Sequence, residues 1–266
     1  MRIAHLEFWS GLAGDMFVGA LLDAGWPEER LREVVSALDL GSVEIEVERR
    51  THRGLSGVGI RVRAAKDPHA RHLEEILKLI DAARIPARAK ETATRAFRLL
   101  GEAEAKIHGI PIERVHFHEV GAADSIVDFV ATATALADLE IERVTAGAIP
   151  LTTGWVEMDH GGLRGPGPAT ALLLEGWPVH SVPVEGEFFT PTAAALLRAV
   201  AIPLEVTPNM QVERVGYGAG TRPHPQLPNL VRLWLGQATE GRWWSPMSCS
   251  SWKLRLTTWS RDSWRC

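Results

Sequence analysis

Alternation of strand-like and helix-like segments is the feature that most limits what this chain can fold into. Residues 3–8, IAHLEF, alternate as a strand does, and the glycine turn after them leads into an apolar helical run over 16–25. Similar units follow along most of the first 240 residues, without an internal repeat. Such alternation favours an α/β fold, with a mixed sheet, flanking helices and a single main domain. The chain of 266 residues is long enough to bury an adequate core.

Local signals set the expected bounds of the other elements. Thr190 followed by Pro191 has the cap and first-turn proline of a helix start. Gly and Pro residues separate most of the remaining segments. Further helices are expected over 27–38, 72–83, 86–108, 122–139 and 190–200, with one after the glycine-rich loop at 161–170, and strands over 43–52, 57–65, 144–151, 178–186, 204–220 and 229–236.

Composition excludes several classes of function. A net charge of -4 gives no reason to expect nucleic acid as a partner. No stretch approaches the roughly 18 apolar residues of a membrane span, and the start of the chain lacks a basic segment followed by an apolar run. We therefore expect a cytoplasmic protein without a membrane partner.

The segment HFHEVGAADSIVD, residues 116–128, concentrates groups that bind metals. His116 and His118 are two apart and leave the same face of a strand, whereas Asp124 and Asp128 are four apart and share a face of a helix. Glu119 lies between the two pairs. Imidazole and carboxylate together suit a borderline divalent ion such as nickel, zinc, manganese or iron, and the sequence does not choose among them. A hydrolase using a divalent metal is one function compatible with this cluster.

An ordinary structural interpretation of the same segment is also open. Asp124 would complement a helix dipole, Asp128 would be solvated, and the histidines would bond neighbouring carbonyls. For any one of these residues alone we favour that interpretation. Five such groups together favour a metal site. His69 and His72 carry the same two alternatives, as metal donors or as exposed histidines at a helix start.

Three glycine-rich turns lie near expected helix starts, at 10–16, 161–170 and 216–222. The first two are plausible phosphate cradles, with Arg164 as a charged clamp, or else tight turns that need a positive φ. None matches GxxxxGK[ST] or GxGxxG, so a P-loop ATPase or a Rossmann dehydrogenase is not supported. Ser10 and Asp15 are candidate ligands or caps, and His160 would orient a phosphate or carboxylate, or serve the turn.

The tail 241–266 differs in kind from the body. It contains five of the ten tryptophans and both cysteines. Its net charge is +4, which leaves the body with a net charge of about -8. A membrane or partner anchor and a two-cysteine metal clip are alternatives, but the tail has no sustained helical or strand period and no CxxC pair. We expect a main domain over 1–240 and a tail that is out of frame or disordered.

Taken together, several segments resemble the proteins that insert nickel into the nickel-pincer nucleotide cofactor of lactate racemase and related enzymes. The match lies in residues 1–238 and keeps the family's order. Any one of these segments would be a weak signal, whereas the set is specific. The matching segments are FWSGLAGDMFVGALLDAG, RHLEEI, VHFHEVGAADSIVD, HGGLRGPGPAT, VEGEFFTPTAAALL and GYGAGTR.

The resemblance implies a cyclometallase, a lyase-type metallochelatase for Ni(II). Its substrate would be pyridinium-3,5-bisthiocarboxylic acid mononucleotide, and the complete protein would use CTP with Mn(II) or Mg(II). Insertion forms one carbon–nickel and two sulfur–nickel bonds. A homo-oligomer is expected. The implied site residues are Asp15, His116, His118 and Asp128 for metal, Glu119 and Asp124 for catalysis, and Gly161, Arg164 and Thr192 for phosphate.

Two departures from the family pattern limit these expectations. Many relatives have a longer histidine-rich run where this chain has only His69 and His72, which weakens a role in nickel storage. Relatives also continue past residue 240 into a nucleotide-binding, oligomer-forming domain, in some cases joined by ribosomal frameshifting. That domain, or its separately encoded product, is an expected partner. Without it this chain is expected not to complete CTP-dependent insertion, and a nickel carrier or scaffold is the alternative function.

Overall fold

The fold is built on one mixed seven-stranded sheet. The computed structural model describes residues 1–64, 71–117, 122–152, 154–158, 161–186, 188–204, 206–224 and 226–239. The helices are α1 Gly14–Asp23, α2 Glu28–Ala37, α3 Leu73–Ala82, α4 Ala87–His108, α5 Ala123–Asp138, α6 Pro168–Leu173 and α7 Pro191–Val200, with a 3-10 turn at Ile112–Arg114. The strands are β1 Arg2–Phe8, β2 Val43–His52, β3 Leu55–Ala64, β4 Arg71–His72, β5 His116–Phe117, β6 Arg143–Ala146, β7 Ile149–Thr152, β8 Trp155–Met158, β9 Gly161–Arg164, β10 Val179–Val182, β11 Ala201–Pro203, β12 Met210–Ala219 and β13 Leu230–Ala238.

Strand order in the main sheet is β11-β6-β1-β13-β12-β3-β2. The pairs β1–β6, β6–β11 and β12–β3 are parallel, and β1–β13, β12–β13 and β2–β3 are antiparallel. Three further ribbons pair β10 with β7, β4 with β5, and β8 with β9. The predicted mixed α/β fold with a single main domain is confirmed.

Helix α1 packs directly on the strands β3 and β12. A Cβ at Gly218 would lie 1.8 Å from the carbonyl oxygen of Met16, and one at Gly216 would lie 2.1 Å from that of Ala20. The backbone of α1 lies so close to β12 that neither position has room for a side chain, which explains the glycine at both. For Gly216 and Gly218 the turn interpretation of the segment 216–222 is wrong, since both lie within β12 and neither has a positive φ.

The core continues from α1 through α5 to α4. Phe97 stacks on Phe129 with ring centroids 4.1 Å apart, and Phe117 meets Phe97 edge-on at 6.2 Å. Helix α5 is buried along almost its whole length, which fixes its first turn against α1 and α7. Among the described residues, no helix combines the length and the apolar character needed to cross a bilayer.

Two expected strands differ from the observed ones. The segment 144–151 divides at Gly147 into β6 and β7, which join different sheets. The segment 204–220 forms a strand only from Met210 onward. Both differences arise from long-range pairing, because the partner strand decides where a ladder begins and ends.

Candidate functional site

The first turns of three helices converge on one cavity of about 470 Å³. Helices α1, α5 and α7 each contribute residues from their amino-terminal ends, and strand β3 and the loop after β12 supply the remaining walls. Free amides and the positive ends of the helix dipoles therefore face a common space. The lining residues are Ala13, Gly14, Asp15, Met16, Ile60, Arg61, Val62, Asp124, Ser125, Asp128, Phe188, Thr190, Pro191, Thr192, Gly220, Thr221, Arg222 and Asn229.

Glycine at position 14 allows α1 to approach the Asp128 carboxyl closely. A Cβ on Gly14 would lie only 2.4 Å from Asp128 Oδ2. The amide of Asp15 hydrogen-bonds to the Asp128 side chain, so the first turn of α1 holds this carboxyl group in place. The GxxGD segment of residues 11–15 thus brings together carboxyl groups that are 113 positions apart in the sequence.

Asp128 is the most unusual of the three carboxyl groups in the cavity. The residue is only 8% exposed, and its Oδ1 is buried with no hydrogen-bond partner among the described residues. Burial raises the pKa of Asp128 well above its ordinary value, and the neighbouring Asp15 and Asp124 raise it further. The ordinary interpretation in which Asp128 is solvated is wrong. An unpartnered carboxylate oxygen in a cavity is a natural place for a proton or a cation.

Asp15 lies next to Asp128, with its side chain 23% exposed. Burial raises the pKa of Asp15 to about 6, against the opposing effect of Arg50. Arg50 Nη1 lies 3.6 Å from Asp15 Oδ2, and its side chain is 10% exposed. The same guanidinium donates to the carbonyl oxygens of Ala219 and Ile60, at 2.9 and 3.0 Å, so its position is fixed.

Asp124 occupies the first turn of α5 at the exposed edge of the cavity. Its Oδ1 accepts a hydrogen bond of 2.7 Å from the amide of Ser125. This contact agrees with the expected complement to the helix dipole. It does not exclude a second role, because Asp124 also raises the pKa of both Asp15 and Asp128.

The loop after β12 is held by the buried side chain of Asn229. Its Nδ2 donates to the carbonyl oxygen of Arg222 at 3.0 Å, and its Oδ1 accepts from Ser10 Oγ at the same distance. The amide of Gly220 donates to the backbone oxygen of Asn229. Ser10 is therefore a structural donor that supports this loop. Thr190, which also lines the cavity, caps α7 as expected, since its Oγ1 accepts from the amide of Ala193.

The structure brings together four of the predicted site residues: Asp15, Asp124, Asp128 and Thr192 all line the cavity. His118 and Glu119 lie outside the described residues, as do His69, His160 and the tail 241–266.

The other three predicted residues are not among those lining this cavity. His116, on β5, pairs with His72 on β4, with ring centroids 3.6 Å apart. Gly161 and Arg164 begin and end β9 in the β8–β9 ribbon. Gly161 has a φ of 92°, which agrees with the turn interpretation of its loop. Their assigned roles stay predictions.

Within the described ranges, no three His, Cys, Asp or Glu side chains are already arranged to hold a metal ion. From the residues that the structure describes, the cavity has carboxyl groups close to one another but not a complete preformed ligand set. A ligand that itself brings donor atoms would complete such a site. Sulfur donors are among those that bind borderline metals.

Sequence reasoning missed Arg50, Asn229 and Arg222. Arg50 lies in a strand of alternating charge, where nothing marks it as buried, and Asn229 follows Pro228 without a motif. Arg222 closes the segment GYGAGTR, so its position at the end of a glycine-rich turn was the one available signal.

Comparison with known proteins supplies a family context for this cavity. A family model described as "Nickel insertion protein" matches residues 4–250. A putative nickel insertion protein of Thermomicrobium roseum is 48% identical over 241 residues, covering 90% of this chain and 59% of that protein. One from Citrifermentans bemidjiense is 44% identical over 244 residues, covering 91% and 63%.

A relative from Desulfitobacterium hafniense carries a more specific name, pyridinium-3,5-bisthiocarboxylic acid mononucleotide nickel insertion protein. It is 42% identical over 240 residues, covering 90% of this chain and 60% of the relative. The chain thus spans about three-fifths of the length of these curated relatives. No solved structure matches the chain.

Proposed function

The chain belongs to the nickel insertion protein family, and from this premise we propose that its cavity is where Ni(II) meets a pyridinium mononucleotide precursor. Asp128 carries the proposal, because its buried carboxyl oxygen, which has no hydrogen-bond partner in the described part of the chain, lines the cavity beside a second carboxyl group. The proposed reaction is insertion of nickel into pyridinium-3,5-bisthiocarboxylic acid mononucleotide. The product would be the nickel-pincer cofactor used by lactate racemase-type enzymes.

The reaction needs a base as well as a metal site. A carbon–hydrogen bond of the pyridinium ring breaks, a carbon–nickel bond forms from the same electron pair, and the proton leaves to a base. Two thiocarboxylate sulfurs add the two sulfur–nickel bonds. The precursor therefore supplies three of the donors around nickel, which agrees with an incomplete protein ligand set. One or two protein carboxylates suffice to hold the metal before transfer.

The carboxyl groups lie in different environments, which suit them either to bind the metal or to accept the ring proton. Asp15, beside Arg50, is the more acidic of the buried pair and is suited to bind Ni(II) near neutral pH. Asp128 has the more strongly raised pKa and is therefore the stronger base for the ring proton. Asp124 would help to hold the entering cation at the cavity edge. His116, His118 and Glu119 remain candidate ligands or bases on the adjoining segment.

The remaining steps of the proposed reaction are assigned to the whole protein, since this chain spans about three-fifths of the length of its curated relatives. We assign CTP hydrolysis, with Mn(II) or Mg(II), to a C-terminal domain or its separately encoded product, together with assembly into a homo-oligomer. The lyase classification and a cytoplasmic location belong to the same proposal. A nickel carrier or scaffold is the second candidate function, because the neighbouring carboxyl groups of Asp15 and Asp128 suit metal binding whether or not insertion follows.

Calorimetric titration with Ni(II) tests the metal part of the proposal. The chain should bind nickel at pH 7.5, and Asp128→Asn and Asp15→Asn should each weaken binding by about tenfold or more, the range seen when groups that support a metal site are removed. Asp39→Asn is the matched control, because Asp39 is exposed and does not line the cavity. Unchanged affinity in both cavity variants would exclude this cavity as the nickel site.

An insertion assay separates the cyclometallase from the carrier. The chain is incubated with the synthetic precursor and Ni(II), with and without CTP and a full-length relative, and the product is identified by mass spectrometry. Nickel incorporation that is lost in Asp128→Asn supports insertion at this cavity. Nickel binding without incorporation under any of these conditions supports the carrier, and hydrolysis of generic phosphoesters would support a hydrolase instead.

A further inference from the structure

Charged groups of both signs line the cavity. The three carboxyl groups of Asp15, Asp124 and Asp128 come from α1 and α5, whereas Arg222 comes from the loop after β12. A ligand with one cation-binding end and one anionic end matches this polarity. A metal-accepting mononucleotide has these two ends, because its phosphate is separated from its ring by a ribose.

Arg222 differs from the other arginines around the cavity. Arg61 is engaged with Glu46 and Glu48, at 3.6 and 3.5 Å. Arg50 is held by the carbonyl groups and carboxylates beside it. The guanidinium of Arg222 makes no hydrogen bond or ion pair within the described part of the chain, although its backbone oxygen is fixed by Asn229.

The loop that presents Arg222 is rigidly supported. His52 Nε2 lies 2.9 Å from the carbonyl oxygen of Gly220, and Arg50 reaches the carbonyl of Ala219. A Cβ at Gly220 would lie 2.3 Å from Asn229 Nδ2, so the backbone and the amide side chain are in direct contact. A backbone held in this way leaves only the exposed side chain of Arg222 to be ordered when a ligand binds, which limits the entropy cost to its rotamers.

The start of α7 adds neutral donors on the same cavity. Pro191 occupies the first helical position and has no amide hydrogen, and Thr190 accepts from Ala193. The amide of Thr192 at the second helical position has no intrahelical acceptor, and its hydroxyl is beside it. An amide, a hydroxyl and a guanidinium are the groups that bind phosphate oxygens.

We propose that Arg222, together with the amide and hydroxyl of Thr192, binds the phosphate monoester of a pyridinium mononucleotide whose ring then faces the three carboxyl groups. This inference rests on the proposed function, since it names the part of the precursor that anchors it in the same cavity. The planar guanidinium accommodates two phosphate oxygens at once, which a lysine does not do. The assignment moves the phosphate site from the predicted Gly161 and Arg164 to the segment 216–222.

Nicotinamide mononucleotide and nicotinamide riboside test the proposal because they differ only by the phosphate. By calorimetry at low salt, the chain should bind the mononucleotide at least about tenfold more tightly than the riboside, since charge-assisted hydrogen bonds contribute about 1.5–3 kcal/mol. Arg222→Ala should remove that difference and leave riboside binding unchanged. Arg222→Lys should restore part of it, and Arg63→Ala, at an exposed arginine on β3, should have no effect.

Several results would overturn the assignment. Equal affinity for the two probes, or no binding of the mononucleotide at millimolar concentration, would refute a phosphate site in this cavity. CTP provides the alternative source of phosphate: if it binds in an Arg222-dependent way while the mononucleotide does not compete, the loop serves a triphosphate and the proposal is wrong. Nickel titrations are independent of these probes. Loss of phosphate discrimination with intact nickel binding would therefore leave the proposed function standing.

Discussion

Replacing Asp15 with asparagine should stabilise the folded chain at alkaline pH, although the residue lines the proposed site. Asparagine has the shape of a protonated aspartic acid and carries no charge. Burial raises the folded-state pKa of Asp15 to about 6 from an ordinary value of 3.8. The folded state therefore binds the proton more tightly than the unfolded state does. This contribution to stability is fully present below pH 3.8 and is lost as the pH rises through about 6.

Linkage between protonation and folding gives the magnitude. With these two pKa values, ionisation of Asp15 costs the folded state about 3 kcal/mol at pH 8 and about half of that at pH 5. The variant avoids this cost. Its advantage over the wild-type chain should therefore grow by roughly 1.5 kcal/mol between pH 5 and pH 8. The side-chain amide and a protonated carboxyl group also differ in their contribution to stability at any pH. This difference is the same at pH 5 and pH 8, so it cancels when the two pH values are compared.

Urea unfolding of both proteins at pH 5 and pH 8, without metal, provides the measurement. Removing the Asp15 charge also relieves Asp128, whose pKa is raised partly by Asp15, and this adds to the change in the same direction. The control Asp39→Asn should alter the free energy of unfolding by less than about 0.5 kcal/mol at either pH. The argument from burial would be refuted if the difference in free energy of unfolding between Asp15→Asn and wild type were the same at pH 8 as at pH 5, or smaller.

Three other substitutions probe the supports of the cavity. Gly218→Ala would place a Cβ 1.8 Å from the backbone oxygen of Met16, so we expect a loss of at least about 3 kcal/mol in urea unfolding; a smaller loss would show that α1 can shift. Asn229→Ala leaves Ser10 without its acceptor and should cost about 1–3 kcal/mol while reducing binding of nicotinamide mononucleotide in calorimetry. Arg50→Gln removes the main charge that lowers the pKa of Asp15, so nickel affinity at pH 7 should fall and its pH profile should move to higher pH in calorimetric titrations; an unmoved profile would contradict this role.

Much of the fold was predictable because its signals are local. The cap and proline at the start of α7, the alternation of β1, and the glycines between segments each act within a few residues. The division of 144–151 into β6 and β7 was not predictable, because the two halves join different partners far along the chain.

The candidate site was predictable in its residue types but not in its geometry. Asp15 and Asp128 were both identified as metal-binding candidates, yet their contact depends on how α1 packs against α5. The burial of Asp128 could not be predicted from the sequence pattern, because α5 is covered on nearly every side and has no clear polar face. Arg50 was missed because its burial results from the β2–β3 register and the approach of the loop after β12.

Charge balance in the cavity favours entry of the anionic ligand before the metal. Three helix amino termini, Arg222 and the Arg50 guanidinium beside Asp15 provide positive potential, while burial raises the pKa of Asp128 and so disfavours its ionised form. The metal-free cavity is therefore less negative than its three carboxyl groups suggest, which favours entry of the phosphate and thiocarboxylates of the proposed precursor. The precursor's sulfurs would add donors to the carboxyl groups of the described residues, so nickel should bind best to the loaded site. In the proposed reaction Asp15 would hold the metal, and the nearby metal charge would favour ionisation of Asp128, whose carboxylate would then accept the ring proton.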